Sequence, residues 1–301
     1  MTVVESNIIC TRVLGGLGNQ MFQYAAGLSL AQHVNAQLIV DTSSFSRYPL
    51  RNYALSAFGI HADEVKCRGE DTRPAIEVMR ERLVRRLGRW GGPARWNGLI
   101  KVVEPHTQFW PGFYELKGNC YLEGYWQSAQ YFRYIEQRLR KVFDLSRFSH
   151  STSRKMEEAI LEEPHSVAVH IRRGDYATNP LNMRTHGLCE RAYYDRAKRL
   201  IEKYAGGTKF FIFSDEGDVA RREFSDWTNT IFVPPNSQEQ DMMLMSLCRH
   251  AIIANSSFSW WAAWLNRNPE KCVVAPRLWF SRERMRETSA VDLLPDDWIL
   301  V

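Results

Sequence analysis

Short, nearly unbroken apolar runs alternate along the chain with longer stretches in which apolar residues recur at helical spacing. The runs predict strands at Ile8–Val13, Gln37–Val40, Val167–Ile171, Phe210–Phe213, Thr230–Val233, Ala251–Ala254 and Cys272–Ala275. They are continuous in Val, Ile, Phe and Ala rather than alternating with polar residues, the pattern of strands buried on both faces of a parallel sheet. The amphipathic stretches predict helices at Asn19–Val34, Arg191–Tyr204, Glu239–Cys248 and Trp260–Asn266. Strand–helix–strand succession of this kind predicts an α/β protein built on parallel sheets. No internal repeat of fixed period is evident.

The chain has 301 residues, 45% of them hydrophobic and 24% charged, which excludes disorder for its bulk. That length predicts two domains. The Ser-rich segment Ser146–Ser153 reads as a linker, giving expected domains at 1–147 and 148–301. Lys and Arg exceed Asp and Glu by 39 − 34, a net charge of +5. This mild excess suits an anionic small molecule and argues against a nucleic-acid partner, which would call for a stronger basic bias. The basic stretch Arg73–Arg95 reads either as a solvated helix or as a face for a membrane surface or an anionic partner. No run of 18 apolar residues occurs, so no membrane span is expected, while peripheral membrane contact stays open. The polar start Met1–Asn7 does not read as a signal peptide. The six cysteines are dispersed singly without a C-x-x-C pair, as in a cytoplasmic protein with reduced, buried thiols.

Four segments carry candidate chemistry. In the first, Gly15, Gly16 and Gly18 lie between the strand ending at Val13 and a helix expected from Asn19. Glycines there let a ligand approach the main chain, and a helix N-terminus presents N–H groups and a positive dipole end to an anion. It is neither a dinucleotide fingerprint, since Met21 stands where Gly or Ala is required, nor a P-loop, since no Gly-Lys-Ser/Thr follows. In the second, Val167–Tyr176 reads VAVHIRRGDY. It places His170, Arg172, Arg173 and Asp175 at a strand's carboxyl end, where α/β sheets bind ligands. Arginine grips phosphate oxygens with a planar fork. Asp175 either pairs with an arginine or acts as a base.

In the third, Ser214-Asp215-Glu216 follows the buried strand Phe210–Phe213. Asp215 either accepts from a ribose hydroxyl or base edge, or helps to cap the next helix. In the fourth, Asp241–His250 leads into Ala251–Leu265, where Asn255, Ser256, Ser257 and Phe258 open an aromatic-rich helix. Small hydroxyls and main-chain amides at that point suit a phosphate or serve as plain caps. Asp-x-Asp, a common carboxylate holder for a sugar-nucleotide metal, is absent, as is any zinc-type His/Cys spacing. Arginine and helix dipoles would have to neutralise a diphosphate instead.

With these residues in place, the chain resembles the α-1,2-fucosyltransferase family, glycosyltransferase family 11, in its soluble bacterial form. The matching segments are Gly15–Ala26, His170–Tyr176, Ser214–Glu216 and Asp241–Ala263. The resemblance implies a GT-B architecture: two Rossmann-like domains facing across a cleft, the N-terminal one on the acceptor side and the C-terminal one holding GDP-fucose. It implies inverting transfer of fucose to the 2-hydroxyl of a terminal galactose on a β-galactoside oligosaccharide, with no cofactor and no metal. It makes Arg172 the β-phosphate contact. It brings Gly16, Gly18 and Asn19 to the diphosphate or the fucose from the N-terminal side, and Ser256, Ser257 and Phe258 to the phosphates. His170, Asp215 and Asp241 are expected near the nucleoside or the site floor. Arg173 is expected to assist Arg172, and Asp175 is the candidate base. Rival expectations are α-1,6 or peptide O-fucosyl transfer, a non-catalytic nucleotide-sugar or glycan-binding protein, and nucleic-acid binding through Arg73–Arg95.

Overall fold

A computed structural model describes residues 7–47, 50–62, 95–96, 98–150, 153–174, 176 and 179–301. The chain forms two compact units, the first ending at Trp126 and the second beginning at Gln127.

The first unit contains β1 (Ile8–Arg12), α1 (Leu17–His33), β2 (Gln37–Asp41), β3 (Arg95–Trp96), β4 (Leu99–Val103) and β5 (Cys120–Glu123). Its sheet has the order β2-β1-β5-β4-β3. All neighbours are parallel except β3 and β4. Helix α1 buries Met21, Phe22, Ala25 and Ala26 against the sheet. A Cβ on Gly27 would come within 2.9 Å of Thr11 and of Leu38, so a glycine lets α1 lie close on β1 and β2.

The second unit contains α2 (Glu136–Val142), α3 (Arg154–Leu161), β6 (Ser166–Ile171), α4 (Pro180–His186), α5 (Arg191–Ala205), β7 (Lys209–Ser214) and α6 (Gly217–Glu223). It continues with β8 (Thr230–Phe232), α7 (Gln238–Leu247), β9 (His250–Ile252), α8 (Ser257–Leu265), β10 (Val273–Ala275) and β11 (Ile299–Leu300). The sheet order is β11-β10-β9-β6-β7-β8, and every neighbouring pair is parallel. Val167, Val169 and Ile171 share one face of β6 and pack with Tyr193, Ala197 and Ile201 of α5. The two-residue period turns His170 to the opposite face. These two α/β units correspond to the pair of Rossmann-like domains of the GT-B expectation.

The division between the units falls between 126 and 127, upstream of the expected 147/148 linker. Aromatic packing is the reason. Phe132 stacks on Trp261 at 5.4 Å, and Phe143 meets the same ring edge-on at 5.3 Å. Arg140 donates to the carbonyls of Trp264 and Leu265 in the last turn of α8, where main-chain acceptors lack helical partners. Residues 127–147 therefore belong to the second core. The basic stretch expected at Arg73–Arg95 lies outside the described residues through position 94, as does Cys67. The other cysteines are free thiols, and all but Cys189 are buried. Among the described residues no helix is long and apolar enough to cross a membrane.

Candidate active site

In the first sheet the β1-to-β2 and β4-to-β5 connections advance in the same direction, whereas in the second sheet the strand order reverses once, between β6 and β9. The crevice at the carboxyl ends of such a pair is where open α/β sheets bind ligands. In the second unit, β6 delivers His170 and Arg172 to that edge. β9 runs through Asn255 and Ser256 into α8, whose N-terminus opens at the same edge. Ser256 is the N-cap residue of α8, yet its hydroxyl makes no capping hydrogen bond. Asn255 is a structural tie: its Nδ2 donates to the carbonyls of His186 at 2.9 Å, Gly187 at 3.4 Å and Trp279 at 3.3 Å.

Arg172 Nη1 forms an ion pair with Asp215 Oδ2 at 2.7 Å, both side chains about three-quarters buried or more. Asp215 Oδ1 accepts the Arg173 N–H at 3.0 Å. One carboxylate from the end of β7 thus braces two consecutive residues at the end of β6. A Cβ on Gly174 would run into Asp215 Oδ2, so the glycine of the Arg-Arg-Gly run is what lets that carboxylate reach Arg172. On its other side the guanidinium lies 5.4 Å from the centroid of the Tyr176 ring, which itself stacks on His186 at 4.6 Å. Arg173 is directed differently. It pairs with Glu216 at 3.3 Å and Glu223 at 3.1 Å, which ties the end of β6 to α6. Ser214 accepts the Glu216 N–H at 3.1 Å in a local turn, and Glu216, not Asp215, is the N-cap residue of α6, so Asp215 is left to the arginines.

His170 is buried, with its ring 5.6 Å from Phe258 of α8. Burial, with the neighbouring positive charge of Arg172, holds its pKa down to about 3. The imidazole is therefore neutral in the physiological range. Its Nδ1 makes no hydrogen bond among the described residues. A buried polar nitrogen left so costs about 1–3 kcal/mol, which a ligand hydroxyl or amide would recover. Asp241 stands in the first turn of α7, whose N-terminus also opens at the carboxyl edge, and accepts from Asn236 Nδ2 at 2.9 Å. Burial pushes its pKa up to about 6. A cavity of about 600 Å³ lies beside this edge, with Cys189, Asn255 and Phe280 in its wall.

In the first unit, α1 begins at Leu17, so Gly18 and Asn19 lie in its first turn and Gly16 is its N-cap residue. Gly15 has a left-handed φ of +82°, and a Cβ there would approach Asn19 Nδ2 to 2.9 Å. Gly16 has ordinary backbone angles and open space where a Cβ would stand. The protein's own packing thus does not require Gly16 to be glycine. Two buried glutamines, one turn apart on α1, hold this loop. Gln20 Nε2 donates to the Gly15 and Asn52 carbonyls, and its Oε1 accepts the Ala54 N–H. Gln23 Oε1 accepts the Leu14 N–H at 2.9 Å, and its Nε2 donates to the Gly124 carbonyl at 3.1 Å. Sequence reasoning assigned these glutamines no role, although two amides at i and i+3 beside a glycine loop were the available signal.

Asp175 lies outside the described residues. The structure brings Arg172, Arg173 and Asp215 together, and His170 with Phe258. Among the described residues no group of three His, Cys, Asp or Glu side chains is placed to hold a metal ion.

The profile of glycosyl transferase family 11 matches residues 113–300. An alpha-1,2-colitosyltransferase of Escherichia coli is 32% identical over 300 residues, covering 98% of this chain and 99% of that protein. The O-antigen biosynthesis glycosyltransferase WbnK of Escherichia coli is 33% identical over 307 residues, covering 95% of this chain and 97% of its own length. The galactoside 2-alpha-L-fucosyltransferase Sec1 of Mus musculus is 24% identical over 266 residues, covering 84% of this chain and 63% of the mouse protein.

Proposed function

Because the chain belongs to glycosyltransferase family 11, we propose that it transfers L-fucose from GDP-fucose to the 2-hydroxyl of a terminal galactose on an oligosaccharide, inverting the anomeric carbon and needing no metal. The observation that carries this reading is the convergence, at the β6/β9 reversal point, of the Arg172 guanidinium, the N-terminus of α8 and a buried neutral His170 with an unused nitrogen. Together they offer charge, main-chain N–H groups and a hydrogen-bonding atom in a part-buried crevice, the complement of a sugar diphosphate.

The chemical problem is cleavage of the bond from fucose C1 to the diphosphate oxygen. Negative charge grows on the departing GDP while the sugar gains oxocarbenium character. A donor fixed in advance at the growing charge is worth about 3–4 kcal/mol of barrier. Arg172 takes this role, with Ser256, Ser257 and the α8 N-terminus beside it. Asp215 keeps the guanidinium placed, so little reorganisation accompanies the reaction. Asp175 takes the proton of the attacking hydroxyl as general base. His170, with a pKa held to about 3, binds rather than accepts that proton. In the first unit, Gly16 admits a ligand close to the main chain at the start of α1.

A second reading concerns the donor sugar. The colitosyltransferase relative is more similar to this chain than the mouse fucosyltransferase is. Colitose is fucose without its 3-hydroxyl, so one pocket could serve either. Incubating the protein with lactose and equal GDP-fucose and GDP-colitose, then identifying products by mass spectrometry and linkage by NMR, decides between them. A fucosyl-α-1,2-galactose product supports the first reading. Exclusive colitosyl product replaces it with the second, and no glycoside from either donor removes both.

A further inference from the structure

Tyr125 follows the carboxyl end of β5, which lies beside β1 and its glycine loop in the first sheet, and the residue is 45% exposed. A single exposed tyrosine is ordinary on a protein surface. What sets this one apart is how its backbone is held. Trp126 beside it has a left-handed φ of 54°, a conformation that costs a bulky residue about 1–3 kcal/mol and persists only where its surroundings impose it. Glu104, directly after β4, imposes it: its two carboxylate oxygens accept the N–H of Tyr125 at 2.7 Å and of Trp126 at 3.0 Å. Gly124 completes the turn, since a Cβ there would overlap Glu104. The Gly124 carbonyl is in turn tied through Gln23 to Leu14, at the start of the glycine loop. Gln23 of α1 and Glu104, directly after β4, thus fix the backbone from which the Tyr125 ring projects.

We infer that Tyr125 is the platform on which the acceptor galactose rests, an inference that builds on the galactoside reading above. A galactose ring has one face composed largely of C–H groups, because its axial hydroxyl points to the other face. An aromatic ring with few rotatable bonds and a hydroxyl at its rim covers such a face and hydrogen-bonds its edge. The carboxyl edge of the first sheet, beside the glycine loop, supplies the place, and the braced turn supplies the fixed orientation that sugar stacking requires. Glu104 is further desolvated, which raises its carboxyl above the usual range while both of its oxygens stay on the turn.

Saturation-transfer difference NMR with lactose, in the absence of nucleotide sugar, tests this directly on the wild-type protein and on Tyr125→Ala and Tyr125→Phe. Tyr125→Ala is expected to weaken lactose binding about tenfold or more, and Tyr125→Phe by less than about threefold. GDP affinity should stay within about twofold and the melting temperature within about 2 °C, because the ring is not part of the core. Lactose binding by Tyr125→Ala equal to wild type overturns the inference. So does wild-type protein that binds no lactose, or loss of GDP affinity in parallel with lactose. Wild-type protein that binds lactose but makes no fucosyl product sinks the fucosyl-donor reading alone, and the alanine variant's lactose affinity still decides the role of Tyr125.

Discussion

Arg172 Nη1 and Asp215 Oδ2 stand 2.7 Å apart, so the cation assigned to the leaving group already carries a counter-charge from the protein. The pair explains how a guanidinium remains fixed, part-buried, before substrate arrives. An isolated charge there would be costly, and a flexible one would need reordering during the reaction. Arg172→Ala is expected to lower kcat by about 10²–10³ or more, the loss typical of removing one such preorganised donor. Arg172→Lys should restore little, since a point charge does not reproduce the fork. Steady-state transfer assays check both, and an alanine variant above a tenth of wild-type turnover ends the leaving-group role.

Gly174 and Asp215 should behave as one device. Gly174→Ala puts a methyl where Asp215 Oδ2 sits, and Asp215→Ala removes that oxygen. Each is expected to lower kcat/KM by about 10–100-fold, matching the roughly 1.5–3 kcal/mol of a hydrogen bond to a charged group. The double variant should be little worse than either single one. Independent, additive losses in the three-variant comparison would disprove the coupling.

Asp175 is assigned the proton of the acceptor hydroxyl. Asp175→Asn should reduce kcat far more than GDP affinity, measured by kinetics alongside titration of GDP. Weakened GDP binding with little change in kcat would make the residue a partner of the arginines instead. The same assay run with EDTA is expected to show unchanged activity; collapse with EDTA and recovery with manganese would require a metal in the mechanism.

Two titratable groups near the site, His170 buried and Asp241 partly buried, act on stability with opposite signs. The Asp241 carboxyl is pushed from 3.8 up to about 6, so the folded protein binds a proton in that interval that the unfolded chain has released. Its contribution is most favourable at low pH and is lost as pH rises through the interval. His170, held from 6.5 down to about 3, does the reverse: stability is lost as pH falls through that window. Asp241→Asn, which keeps an acceptor for Asn236, should therefore raise the melting temperature at about pH 7.5 and change it little at about pH 4.5. Calorimetry at the two pH values checks this, and an equal gain at both would refute it.

Gln20 is fully buried and satisfies three main-chain groups around the glycine loop. Gln20→Leu keeps most of the volume but strands all three. At about 1–3 kcal/mol per orphaned group, partly relieved by water, a loss on the order of 3 kcal/mol is expected. Thermal unfolding would show it as a drop of several degrees; an unchanged transition would mean the loop does not depend on the amide.

The chain's own pattern carried the class of the fold and the chemistry of the second unit. Continuous apolar runs marked β1, β6, β7 and β10 because a strand buried on both faces has no polar side to show. The strands β4 and β5 escaped: Leu99–Val103 is interrupted by Lys101, and Cys120–Glu123 is short. Their place in the sheet comes from pairing across distant residues, which no local period records. The Ser-rich stretch suggested a boundary at 147/148, but ring packing between Phe132 and Trp261 moved residues 127–147 into the second unit.

The sequence by itself determined that this is a parallel α/β protein with an arginine pair after one strand, a glycine loop after another, and the motifs of its family. These are local properties, written in residue type and spacing. Only the tertiary structure decided that Asp215 faces Arg172, that Gly174 makes room for it, that His170 is a neutral buried ring against Phe258, and that Glu104 holds a strained turn beneath Tyr125. Each of these depends on which strands become neighbours, and strand adjacency is set by packing of the whole sheet rather than by any segment alone.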